Sequence, residues 1–318
     1  MSYPIFPRQC QTAGRRRNLS GYGVARSSGT RTGMRSARAT RSRKRHMFEL
    51  SWEGVGKAYL KPVTDLIDAT LGGVGLCVCP TFNREAVLTA EYSSGTTLTV
   101  NDVTAFQKYT ITIIDGVNDR IDFSKDGANE ITASLTPGTY TPAGLAAHIL
   151  LRMNLVSGGP VYAVTYSAND DRYTITETTG GTPTGILSLL WFSGTNTARS
   201  VGATLGYDVS RDRIGATTYS SDYFLAPYGS RILLADANDG YVTKLVRVVE
   251  AIDTENKTLT IATATDHTYV IGSLVEPCFN ATIQLEEEEE EAIYYEESQK
   301  DHWGIVTAAV RLVEEFNA

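Results

Sequence analysis

Chemistry in this chain would have to come from thiols, imidazoles, carboxylates or guanidinium groups, so their spacing is the first question. The four cysteines are Cys10, Cys77, Cys79 and Cys278. Cys77-Val78-Cys79 places two thiols on one face of a strand, a spacing seldom used for tetrahedral metal sites. The four histidines, His46, His148, His267 and His302, share no motif with them. Reduced, partly buried thiols in a protein made in a cytoplasm are the expectation, with no metal and no cofactor.

A glycosidase needs two facing carboxylates, one of them raised in pKa by burial. Asp122, Asp126, Glu130, Asp170, Asp171 and Asp222 are available, mostly in turn-like contexts where aspartate is ordinary. No G-x-S-x-G elbow, H-E-x-x-H helix or phosphate loop is present. The glycine pairs beginning at 72, 158 and 180 precede no strand-to-helix phosphate cradle. These absences point to a protein that binds and does not catalyse.

Charge is the stronger signal. Residues 1–46 hold eleven Arg and one Lys with no Asp or Glu, a charge of +12. The chain as a whole carries −7, so the remainder carries −19. Part of that lies in one unbroken run: Glu286, Glu287, Glu288, Glu289, Glu290 and Glu291. Clustered arginine can neutralise nucleic-acid phosphates or dock on acidic protein surface. An acidic body repels a duplex, and the arm has no helical repeat and only Tyr3, Phe6 and Tyr22 as aromatics. Docking on protein is the favoured reading. The expected contact joins Arg15, Arg16, Arg17, Arg35, Arg38, Arg41, Arg43 and Arg45 to the six glutamates, preferably on an adjacent subunit, because planar guanidinium groups grip carboxylates bidentately.

These groups must be positioned by elements legible in the hydrophobic pattern. At 318 residues and 42% hydrophobic, the chain can bury two cores. Its apolar stretches are too short to cross a bilayer, and its basic opening has no secretory apolar core. Met47 to Glu53 alternates like a half-buried strand. Tyr59, Val63, Leu66, Ile67 and Leu71 then follow helical spacing before Gly72-Gly73, and Leu76 to Pro80 reads as a short strand. Segments at 97–100, 109–114, 121–123 and 131–135 are β-rich. Thr141-Pro142 supplies a cap and a first helical proline, and Leu145, Ile149 and Met153 form the stripe of the helix behind it. His148 beside that stripe reads as a packed or surface histidine.

A hairpin follows, with Tyr162, Val164 and Tyr166 on one strand, a turn at 168–171, and Tyr173 and Ile175 returning. Leu187 to Phe192 should cover the sheet, and a short helix around 201–205 ends at Gly206. The unit from 115 to 224 therefore reads β-β-α-β-β-α. Further strands are expected at 232–234, 245–249, 259–261 and 283–285. Residues 304–316 fit helix and strand periods equally well.

Two groups of motifs resemble known phage proteins. Ser2-Tyr3-Pro4-Ile5-Phe6-Pro7, the Arg/Ser/Thr-rich approach and Phe48-Glu49-Leu50-Ser51-Trp52 resemble the N-terminal module of the distal-tail protein family of tailed bacteriophages. Trp303 to Val310, with Glu314, resembles that family's closing strand. Leu135 to Thr141, Leu190 to Gly194 and Thr204 to Tyr207 resemble a module recurrent in phage virion structural proteins. The arginine density before His46 exceeds the family pattern. The resemblance implies a mainly β protein whose tail-tube-like β-sandwich is interrupted by a smaller α+β insertion. The expected limits are a basic arm at 1–46, assembly-domain parts at 47–114 and 225–318, and the insertion at 115–224. It further implies a virion protein that closes into a hexameric ring near the tail tip, with tube, hub and fibre proteins as neighbours. A tail-borne glycan-binding or hydrolysing protein, and a neck or head component whose arm contacts DNA, are the alternatives.

Overall fold

The computed structural model describes residues 86–284 almost continuously, apart from 126, 128, 159–160, 179–186 and 266. Outside that stretch it describes Ile5 and residues 14–21, 24–26, 37–39, 45–56, 65–66, 76–80, 293–296 and 305–314. The protein is mainly β, with a single long helix among the described residues. No helix among them is long and apolar enough to cross a membrane.

In chain order the strands begin with β1 (Gly14–Gly21), β2 (Val24–Arg26), β3 (Ala37–Ala39), β4 (Arg45–Gly56) and β5 (Leu76–Pro80). Next come β6 (Ala86–Val87), β7 (Thr97–Thr99), β8 (Ile111–Ile113), β9 (Arg120–Ser124), β10 (Ile131–Ser134) and β11 (Gly138–Tyr140). Helix α1 (Pro142–Ser157) precedes β12 (Tyr162–Ser167), β13 (Arg172–Glu177), β14 (Ser188–Leu189) and β15 (Thr218–Ser220). The chain closes with β16 (Arg231–Ala235), β17 (Lys244–Asp253), β18 (Thr258–Ile261), β19 (Leu274–Gln284), β20 (Ile293–Glu296) and β21 (Ile305–Glu314).

The chain divides into two compact units, one of Met1–Glu85, Leu233–Leu245 and Tyr269–Ala318, the other of Ala86–Ile232 and Val246–Thr268. In the first unit, β1 pairs antiparallel with β4, and β4 with β21. On its other side β21 pairs with β19 and β20, and β19 pairs with β5. Of residues 304–316, ambiguous by period, Ile305–Glu314 is thus a strand, because β4 offers a partner ladder broken only by a bulge between Val306 and Ala308. Of the helix expected over 59–71, Asp65 and Leu66 are helical and the rest lies outside the described residues.

In the second unit, Phe123, Tyr162, Tyr173, Leu189, Trp191 and Tyr207 pack with the buried face of α1. That helix starts where the sequence places it. Thr141 is its N-cap, and the Thr141 side chain accepts a hydrogen bond from the Gly144 N–H, with Pro142 in the first turn. It stops at Gly158, whose φ of +79° is the left-handed conformation that glycine adopts without a Cβ penalty. Leu145, Ile149 and Met153 are fully buried. The hairpin forms in the expected register, Tyr166 opposite Tyr173 and Ser167 opposite Arg172, leaving 168–171 as the turn. Where a short helix was expected at 201–205, a three-residue 3-10 turn spans Ala203–Leu205 and ends at Gly206, φ +80°. Leu187, Leu189 and Trp191 are buried as a sheet cover requires, but Phe192 is 67% exposed.

Candidate assembly surface

The residues expected to carry function divide by position. Arg15, Arg16 and Arg17 lie on β1, opposite Ser51, Leu50 and Glu49 of β4. Arg38 lies on β3 opposite Ala25, and Arg45 lies on β4 opposite Gly21. Arg35, Arg41, Arg43 and the glutamates 286–291 lie outside the described residues, as does the expected contact between them.

The sheet nevertheless places the ends of the acidic run. Gln284, before it, pairs with Arg311, and Ile293, after it, pairs with Ala308. Across β21, Arg311 pairs with Glu49 and Ala308 with Trp52. Across β4, Glu49 pairs with Arg17 and Trp52 with Gly14. Arg17 therefore shares a row of one sheet with Gln284, and Gly14 shares one with Ile293. They are three strand spacings apart, about 14 Å at ~4.8 Å per spacing, well beyond the ~4 Å of an ion pair. Among the described residues, β1 has a strand partner on one side only and β20 pairs with β21 alone.

The carboxylates weighed for catalysis hold loops in the second unit. Asp122 accepts from the Asn196 N–H (2.6 Å), Asn196 Nδ2 (3.0 Å) and the Thr132 hydroxyl (2.7 Å). Glu130 accepts from the Thr195 N–H at 2.8 Å. Asp170 accepts from the Ser167 hydroxyl at 2.8 Å, and Asp222 pairs with Arg213. Asp126 lies outside the described residues. His148 accepts from the Thr136 N–H at 3.0 Å through Nε2 and stacks on Tyr140 at 5.0 Å. Burial, then the neighbouring Arg152, holds its pKa below the ordinary histidine value.

One polar centre escapes sequence reading. Asp171, at a left-handed φ of +50° in the hairpin turn, accepts from the Leu225 and Ala226 N–H groups, each at 2.8 Å, and from the Tyr166 hydroxyl at 2.7 Å. Arg231, 2% exposed, donates to the carbonyls of Ala168 and Asn169, both at 2.7 Å. Burial pushes the Asp171 carboxyl up, against the lowering field of Arg231. Some 60 residues separate Arg231 from the turn it clamps, and no local pattern connects them. Cys77 is buried, and burial raises its thiol to about 12. No group of metal-ligating side chains forms among the described residues.

No protein-family model matches the chain, and no curated protein matches it. Among solved structures, a mavirus penton protein aligns over 85% of this chain and 99% of its own, at 8% identity and a TM-score of 0.26. That likeness is too loose to assign a fold or a function.

Proposed function

We propose that this chain is a structural protein of a tailed-phage virion, closing into a hexameric ring near the tail tip and joining the tube to tip or fibre proteins without catalysis. The observation that carries this reading is the pairing of β4 with β21. The two segments whose motifs resemble opposite ends of the distal-tail module lie some 250 residues apart in the chain and share one ladder, Phe48 opposite Leu312, Leu50 opposite Val310 and Trp52 opposite Ala308. Chain ends that close a common sheet leave the intervening residues free to fold as their own unit. The charge pairing expected from sequence would then join two copies through the margins of this sheet. Arg15 to Arg17 sit on a strand with one partner among the described residues, and Gln284 and Ile293, which flank the acidic run in sequence, both pair with β21. Head-to-tail contact of these two margins between copies is heterologous, and such contacts close into rings when the rotation permits.

Negative-stain imaging of the purified full-length chain tests the reading. Rings with six-fold symmetry are expected at low ionic strength, and discrete monomers under all conditions would refute it. Turnover of host glycans would favour the hydrolase alternative, and salt-sensitive retention of DNA would favour the neck or head alternative.

A further inference from the structure

The turn that leads into α1 is fastened to the helix by one histidine. Nε2 of His148 accepts the Thr136 N–H at 3.0 Å, so the neutral ring carries its proton on Nδ1. The carbonyl of the same Thr136 accepts the Tyr140 hydroxyl at 2.8 Å. The Tyr140 ring in turn stacks on the His148 imidazole, with 5.0 Å between centroids and 24° between planes. Thr136, Tyr140 and His148 thus close a circuit of three contacts. Leu135 is buried, whereas Thr136, Pro137, Gly138 and Thr139 are exposed. His148 therefore holds an exposed turn to a helix whose opposite face, led by Leu145, Ile149 and Met153, is locked in the core.

We propose that His148 is an acid-operated latch, which holds the 136–139 turn on α1 while neutral and releases it when protonated. The direction of one hydrogen bond decides this. An imidazolium carries N–H on both nitrogens and accepts nothing, so protonation sets N–H against the Thr136 N–H. Flipping the ring does not help, because either edge then presents a donor. Among the described residues, no facing group compensates. On α1 itself the facing group is Arg152, one turn on and of like charge. Its Nε donates to the Ser134 carbonyl at 2.6 Å, which keeps it in place. Strands β10, β11 and β12 pack on α1. They contain no Asp, Glu, Lys or Arg, and their titratable side chains are Tyr140, Tyr162 and Tyr166, uncharged through this pH range. Burial, then the field of Arg152, already holds the His148 pKa below the ordinary histidine value. The released ring titrates at that ordinary value and the latched ring below it. Holding is therefore complete above about pH 6.5 and is lost as pH falls through the latched value.

The release is local. The caps of α1, the Thr141 hydroxyl and the left-handed Gly158, do not titrate. Strand β11 keeps its pairing with β8, Gly138 opposite Ile113 and Tyr140 opposite Ile111. Acid therefore loosens the turn and leaves the unit folded. The latch is distinct from ring closure and does not depend on it.

The test follows hydrogen exchange in the full-length chain by mass spectrometry, reading the peptide that spans residues 135–141 at pH 7.5 and pH 4.5. Each rate is divided by the intrinsic rate at its pH. The unsubstituted chain should lose protection about fivefold at pH 4.5, the worth of one net hydrogen bond. His148→Gln, whose amide oxygen accepts the Thr136 N–H at either pH, should keep the same protection at both. The chain has four histidines, so with ¹³C-labelled histidine the His148 resonance is the one missing from the Gln variant. Its titration midpoint should lie below the ordinary histidine value. Equal protection of the unsubstituted chain at the two pH values would overturn the proposal, and that comparison stands whether or not the variant folds. A midpoint at or above about 6.5 would overturn it as well, as would an equal acid loss in the Gln variant.

Discussion

Replacing Arg231 with methionine should be among the most damaging single changes in the second unit, and the clamp shows why. Methionine keeps much of the volume and removes two hydrogen bonds of 2.7 Å to the Ala168 and Asn169 carbonyls. It also removes the positive charge that opposes the desolvation of Asp171. Each stranded buried acceptor costs about 1–3 kcal/mol, and the loss of the opposing charge near Asp171 adds to that. These terms overlap, because the Asp171 carboxylate keeps the Leu225, Ala226 and Tyr166 donors. The expected loss is about 4 kcal/mol at neutral pH. The sign with pH follows from the raised Asp171 carboxyl. A carboxyl raised in the folded state is protonated there before it is in the unfolded chain, so stability from this group falls as pH rises through that window. Without Arg231 the carboxyl rises further and the window widens upward, so the variant's deficit is smaller near pH 4.5 than near pH 7.5. Adding Asp171→Asn, a residue that tolerates φ > 0, should recover part of the loss by removing the unpaired charge. Denaturant unfolding of the three proteins at both pH values measures all of this. A loss below about 1 kcal/mol at neutral pH, or a deficit that ignores pH, refutes the reasoning.

Three further outcomes are expected. Thr141→Ala removes the side-chain acceptor of the Gly144 N–H and should cost about 1 kcal/mol of unfolding free energy, read from the denaturant midpoint. Gly194→Ala would bring a Cβ within 2.6 Å of the Leu190 carbonyl and 2.7 Å of the Asp122 side chain. The resulting overpacking should cost about 1–3 kcal/mol, visible as a lower melting temperature. Ring assembly should weaken as salt rises, because the screening length falls to about 3 Å at 1 M, and deleting residues 1–46 should abolish that dependence in sedimentation; rings indifferent to salt would count against the charge contact.

What the sequence by itself determined is what neighbouring residues decide. Thr141-Pro142 and Gly158 bound α1 because a cap, a first-turn proline and a left-handed glycine act within one turn of the backbone. The alternation of Tyr162, Val164 and Tyr166 with Tyr173 and Ile175 set the hairpin and its register, because side chains on a strand change face at every residue. Asp170 was legible as an ordinary turn residue for the same local reason, whereas Asp122 lies within β9 and Asp171 is buried. The tertiary structure alone decided the choices in which two local answers were equally good or no local answer existed. Residues 305–314 satisfy both periods, and the ladder offered by β4 made them a strand. Trp191 and Phe192 are adjacent aromatics, yet Trp191 lies beside Tyr207 in the core while Phe192 faces solvent, a matter of which side of the chain the sheet occupies. The rows that join Arg17 to Gln284 and Gly14 to Ile293 are each a sum of three registers, none visible in any one segment. The Asp171–Arg231 clamp joins residues 60 apart, and its partners are backbone carbonyls and amides whose positions exist only once the chain has folded.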